Sequence, residues 1–174
     1  MHIINISNAA VPTLVGSFDT AGSANGIAVS GVYAYVADGS TTGLQILNIS
    51  DPAAPTFVGG LASIDAMYVV VSGSYAYVSY MYSGYLRVVN ISDPAAPTLT
   101  GSFDTTGNPE TIVVSGAYAY IADQEGGLKV INISNAASPT LAGSFDTTYA
   151  AGVPVYGSYA YVADIAGLFI INIS

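Results

Sequence analysis

The chain has 174 residues, 52% hydrophobic and only 7% charged, with 11 acidic side chains against two basic ones, Arg87 and Lys129. That balance excludes a nucleic-acid partner, which needs a basic patch to displace counterions from phosphates, and it disfavours anionic lipid surfaces. The absence of cysteine excludes thiol catalysis, disulfides and thiolate-bound metal. No apolar run approaches the ~18 residues of a membrane helix, so the apolar content reads as core and not as membrane insertion. No basic segment leads into an apolar stretch at the N-terminus, so no signal peptide is expected in this chain.

Taken in chain order, short strand-like pieces alternate with turn signals. His2–Ser7 and Thr13–Phe18 flank the connection Asn8-Ala-Ala-Val-Pro12. Ala24–Ser30 is small and apolar and stops at Ser30-Gly31, a turn signal. Tyr33–Asp38 alternates Tyr33 and Tyr35 with Ala34 and Val36, the period of a half-buried strand. Leu44–Ile49 is aliphatic and ends at Ser50-Asp-Pro-Ala-Ala-Pro55, where two prolines remove ladder donors and force a connection. Thr56–Leu61 follows as a further strand, and no segment has a helical period.

The same text then recurs. Tyr-Ala-Tyr begins at Tyr33, Tyr75, Tyr118 and Tyr159, and Asn-Ile-Ser at Asn5, Asn48, Asn90, Asn132 and Asn172, in steps of about 42 residues. Gly-Ser-Phe-Asp-Thr begins at Gly16, Gly101 and Gly143, and its remaining copy has drifted to Gly59-Gly-Leu-Ala-Ser63. Four strands of about six residues in every repeat of this length make an all-β chain with the rhythm of a β-propeller blade. A β-solenoid is the alternative, but its coils are shorter and its strands parallel. The expected fold is one domain over residues 1–174, built from four blades of four antiparallel strands.

Leu44-Gln-Ile-Leu-Asn48, Leu86-Arg-Val-Val-Asn90, Leu128-Lys-Val-Ile-Asn132 and Leu168-Phe-Ile-Ile-Asn172 resemble the strand that gives the LVIVD repeat family its name. The neighbouring Ser-Gly-x-Tyr-Ala-Tyr and Pro-Thr-Leu-x-Gly-Ser-Phe-Asp-Thr pieces are similar to that family too, across the whole chain. This sequence ends the strand with Asn where the family has Asp; either residue caps a turn. The resemblance implies bacterial or archaeal proteins of the cell surface or exterior, mostly without an assigned activity, and it carries no catalytic residue.

Similarity to other propellers lets the strands be lettered outward from the channel: a (Ala24–Ser30), b (Tyr33–Asp38), c (Leu44–Ile49) and d (Thr56–Leu61). The chain then opens on c and d and closes on a, b and c, so each end has what the other needs. Closure within one chain gives a tight four-bladed ring. Closure between two chains gives an eight-bladed homodimer, the favoured arrangement, with two-fold symmetry and no exposed sheet edge. Strand c occurs five times, so His2–Ser7 is surplus and expected to be frayed or displaced. A piece of a longer repeat array, or a recent or engineered duplication, would have the same text.

In a propeller the d–a and b–c connections share one face. Asp19, Asp65, Asp104, Glu110 and Asp146 fall in or beside the former, and Asp38, Asp123, Glu125 and Asp164 in the latter; only Asp51 and Asp93 fall opposite. Such a field attracts cations. Asp38, Asp123, Asp164, Asp19, Asp104 and Asp146 are the candidate metal ligands, with calcium the fitting ion because it takes carboxylate and carbonyl oxygens. The competing reading is that these residues cap one turn per blade and keep an apolar protein soluble; no dense Asp-x-Asp-x-Asp loop is present. A carbohydrate stacked on Tyr80, Tyr82 and Tyr85 is a second ligand class, and a protein ligand a third. The Asn-Ile-Ser sequons read as strand ends, the Tyr-Ala-Tyr pairs as inter-blade core, and Arg87 and Lys129 as solvated positions of strand c. His2, the lone histidine, lies in the surplus segment. Without Cys or a usable His no nucleophilic triad can be assembled, which leaves a two-carboxylate glycosidase as the remote catalytic option. The expectation is therefore a non-enzymatic module without a required cofactor.

Overall fold

The structure, a computed structural model, describes residues 1–80 and 82–174. Its strands are β1 (His2–Asn5), β2 (Thr13–Ser17), β3 (Gly26–Ser30), β4 (Tyr33–Ala37), β5 (Leu44–Asn48), β6 (Thr56–Leu61), β7 (Tyr68–Ser72), β8 (Tyr75–Tyr80) and β9 (Tyr85–Asn90), followed by β10 (Thr98–Asp104), β11 (Thr111–Ser115), β12 (Tyr118–Ala122), β13 (Leu128–Asn132), β14 (Thr140–Phe145), β15 (Ala150–Gly152), β16 (Val155–Tyr156), β17 (Tyr159–Asp164) and β18 (Gly167–Asn172). A single helical turn, α1 (Gly39–Thr42), lies between β4 and β5. It corrects the expectation of a chain without helix: Gly39 at φ 83° and Gly43 at φ 64° bracket a loop short enough to close one i to i+4 bond.

Three complete antiparallel sheets form blades one (β3-β4-β5-β6), two (β7-β8-β9-β10) and three (β11-β12-β13-β14). Each a–b turn is a two-residue hairpin with its glycine left-handed, as at Gly31 (φ 57°) and Gly116 (φ 58°), a conformation that costs Gly little. Every c–d pair carries a bulge at the same step, as at Ile46/Leu47 and Val130/Ile131. Blade four has only β17 and β18 plus an inner strand split into β15 and β16, because Pro154 between them has no N–H to give to the ladder.

The blades stand side by side with their inner strands β3, β7 and β11 in contact. Between blades one and two, Leu44, Ile46 and Tyr35 pack on Ala76, Val78 and Val89. The next interface sets Leu86 and Val88 against Ala119, Ile121 and Ile131, and the third sets Tyr120 and Leu128 against Ala160 and Val162. The second Tyr of the first three Tyr-Ala-Tyr pairs is buried in these cores (Tyr35, Tyr77, Tyr120). The arc is open: among the described residues blade four does not pair with the N-terminal strands.

Those N-terminal strands correct a second expectation. His2–Asn5 is not frayed; β1 pairs with β2 in a two-stranded sheet. Met1 donates its ammonium to Phe18 O (2.6 Å) and accepts from Phe18 N (2.9 Å), closing the hairpin. The hairpin covers Ala34, Val36 and Leu47 of blade one with Met1 and Phe18. Thr13–Ser17 therefore serves its own hairpin here and does not complete blade four.

Candidate functional site

Two regions could do work: the acidic loop face and the open end of the arc. On the loop face, strand b of blades one, three and four ends in Asp38, Asp123 and Asp164, and each carboxylate accepts from the connection that arrives from the preceding blade. Asp38 Oδ2 takes the N–H of Gly22 (2.9 Å), the Thr42 hydroxyl (2.6 Å) and the Gln45 side-chain amide (2.7 Å), while its buried Oδ1 has no partner. Asp123 Oδ1 takes the Thr105 hydroxyl (2.8 Å). Its buried Oδ2 has no partner and is closely packed: a Cβ on Gly107 or Gly126 would lie 2.3 or 2.4 Å from it. Asp164 accepts from the N–H of Ala166 (2.7 Å) and of Tyr149. In blade two Tyr80 replaces the aspartate, and the arriving connection is the drifted copy Gly59–Ser63, so both halves of the latch have changed together.

The environments set the charges. Burial pushes the Asp123 carboxyl up to about 6; the Thr105 hydroxyl and Lys129 pull it down, and Asp104 and Glu125 push it further up. At Asp164 burial also pushes up, but the N–H groups of Ala166 and Tyr149 outweigh it, and the carboxyl sits below its ordinary value.

Asp19, Asp104 and Asp146 are exposed at the start of their connections, and Asp104 Oδ1 accepts from Thr106 N (2.9 Å). The six candidate ligands thus fall as separate pairs at blades one, three and four. Among the described residues no three His, Asp or Glu side chains converge on one point. Thr105, 2% exposed, and Gln45 are the partners that the acidic pattern alone missed. The Thr of Phe103-Asp-Thr105 was the available signal, because its hydroxyl reaches the inward Asp123 while the preceding Asp104 is exposed.

The second-blade tyrosines line a groove of about 300 Å³ together with Gly22, Asp38, Ser40 and Met67. Tyr80 and Tyr82 meet edge to face at 5.4 Å, with Tyr82 78% exposed. Tyr85 does not join them as a platform, since the Arg87 guanidinium lies over its ring at 4.4 Å. Each Asn of the Asn-Ile-Ser copies accepts the N–H two residues on, from Ser7 through Ser174, which is the turn that ends strand c.

At the open end, Leu168 and Ile170 of β18 are 66% and 61% exposed, whereas their repeat equivalents Leu44 and Ile46 are fully buried. At the other end Ile27 and Val29 of β3 are exposed, because the hairpin covers only the outer half of blade one. A groove of about 580 Å³ opens between blade three and the end of β18, lined by Tyr120, Val130, Gly143, Phe145, Ile171 and Ser174.

The LVIVD repeat model matches residues 1–20, 21–62, 65–105, 106–147 and 148–174, and these segments are the hairpin, the three blades and the incomplete fourth. The chain belongs to the LVIVD repeat family. No curated protein sequence matches it. Among solved structures, the computationally designed Ika4 protein superposes with a TM-score of 0.71 at 12% identity, over 92% of this chain and 98% of that one. The designed Ika8 protein gives 0.72 at 11% identity over 92% of this chain and 49% of that one. A functionally unknown protein from Desulfotomaculum acetoxidans gives 0.76 at 17% identity over 97% of this chain and 61% of that one. The chain thus spans the length of Ika4 but about half that of Ika8. At such identities the likeness concerns the fold alone, a propeller-like array of blades.

Proposed function

We propose that this LVIVD-repeat chain is a non-catalytic structural and interaction module that assembles with a second copy of itself, two four-blade arrays making one eight-bladed ring. The observation that carries the reading is the pair of complementary apolar ends. Leu168 and Ile170 lie open where Leu44 and Ile46 are covered by the next blade, and Ile27 and Val29 lie open on the side that would cover them. Leaving such faces and an unpaired β18 edge in water is unfavourable, and a second copy removes both at once. The family resemblance supports a role at the cell surface or outside the cell for such a module. Light scattering on the chromatographed protein tests it: a mass of two 17.7 kDa chains is expected, and a one-chain mass at all accessible concentrations overturns it.

A second reading is a small-ligand site on the acidic face, favoured by the groove between Asp38 and the Tyr80–Tyr82 pair. The exposed Tyr82 ring favours a stacked sugar over calcium, because Asp38 is buried and its Oδ2 already has three donors. Tyrosine fluorescence titrated with simple sugars should respond, and should lose the response in Tyr82→Ala. An equal response in that variant removes the groove from consideration, and a calcium-dependent rise in Tm abolished by chelator would favour the ion.

A further inference from the structure

Three glycines at one position of strand d are seats for the next blade. A Cβ on Gly16 would lie 2.3 Å from Pro52 O, one on Gly59 2.4 Å from Pro94 O, and one on Gly101 2.2 Å from Ala136 O. Each seat is filled by the c–d connection of the following blade. The fourth, Gly143, has nothing within 4 Å and lines the 580 Å³ groove beside Ser174.

A connection of the right form exists at the other end of the chain. Asn8–Pro12 carries the same pair of bonds as the three seated connections. Ala10 N donates to Asn8 Oδ1 (3.1 Å) and Val11 N to Asn8 O (3.1 Å), as Ala53 N and Ala54 N do to Asp51 (2.9 and 3.1 Å). The loop is therefore shaped for a seat while lying exposed on none.

The strand before it has the form of a substitute. β1 pairs with β2 in the register of any c–d pair: His2, Ile3, Ile4 and Asn5 face Ser17, Gly16, Leu14 and Thr13, as Lys129, Val130, Ile131 and Asn132 face Ser144, Gly143, Leu141 and Thr140. β18 runs to six residues, Gly167–Asn172, against four in β1, and presents an unpaired edge. Ala34, Val36 and Leu47, now under the hairpin, are the repeat equivalents of Ala76, Val78 and Val89, which receive Leu44 and Ile46. They are the surface that Leu168 and Ile170 fit.

Resting on the self-assembly reading above, we infer that β1 is a placeholder displaced by β18 of a second copy, so that β2 of each chain becomes the missing d strand of the other's blade four and its Asn8–Pro12 connection fills the vacant seat at Gly143. The exchange replaces one set of c–d ladder bonds by another, so its hydrogen bonds are not lost, and it adds burial of Leu168, Ile170, Ile27 and Val29. Ring closure is thereby a strand exchange between copies and not a docking of finished ends.

Hydrogen–deuterium exchange on the full chain, at concentrations spanning the one-chain and two-chain masses, reads this directly. On association residues 168–174 and 140–145 should gain protection while residues 2–5 lose it. Gly143→Val, whose side chain meets only open space in the single chain, should keep its Tm and raise the dimer Kd at least tenfold. A two-chain mass in which residues 2–5 stay protected, or an unchanged Kd in Gly143→Val, overturns the exchange while leaving self-assembly standing. A one-chain mass throughout overturns both. Protection of 168–174 at a one-chain mass assigns the seat to the chain's own loop and overturns the intermolecular exchange, and so does occupation of the seat by residues following Ser174 in a longer polypeptide.

Discussion

Leu86 and Leu168 occupy the same place in the repeat, yet one is sealed between blades and the other is 66% exposed. The same holds for Gly101, pressed against a carbonyl, and Gly143, facing open space. Equivalent local sequence thus produces the same strand in both places, and only a neighbouring blade converts an apolar face into core. In a quasi-one-dimensional array stability comes from each repeat's contacts with its neighbours, so a terminal repeat keeps one apolar face uncovered.

The largest expected break in that comparison is Leu86→Ala, which should cost about 2–5 kcal/mol through a cavity between blades two and three. Leu168→Ala should leave the single chain within about 0.5 kcal/mol in a urea titration, as an exposed position does. Next, Gly101→Val should lose about 1–3 kcal/mol, since its side chain enters occupied space beside Ala136 and Ala137. A Gly101→Val protein with unchanged Tm would mean that the c–d connections are not seated as described.

The latch carboxylates sharpen the contrast by sign. Asp123 is raised to about 6, so the folded state binds its proton more tightly than the unfolded chain, and stability declines as pH rises from the ordinary carboxylate range through about 6. The two-unit displacement bounds that loss at about 3 kcal/mol. Asp123→Asn should flatten the dependence, measured as urea midpoints at pH 4.5 and 7.5. Asp164, lowered in the open blade, should act oppositely, its contribution present at neutral pH and lost only as pH falls below the ordinary carboxylate range. The smallest effect belongs to Ile165→Ser, 74% exposed at the tip of blade four, expected within about 0.5 kcal/mol.

Much of the fold was legible because its signals are local. Alternation in Tyr33-Ala-Tyr-Val-Ala, the Gly31 turn and the Asp51–Pro55 connection each act over a few residues, and repetition multiplies them. The latch was half legible: Asp38 and Asp123 stood out as loop carboxylates, but their engagement with Gly22 and Thr105 spans 16 and 18 residues and depends on how blades abut. The helical turn at Gly39–Thr42 and the split inner strand at Pro154 were missed because each departs from the repeat only once.

The sequence by itself determined the blade and its repetition, since period and turn chemistry are properties of the text. Only the tertiary structure decided that β1 occupies the surplus position as a formed strand, that three glycine seats are filled and that Gly143 is vacant. Those outcomes depend on backbone groups from separate repeats coming within van der Waals reach, and repeats that read alike in sequence differ in whether they have a neighbour.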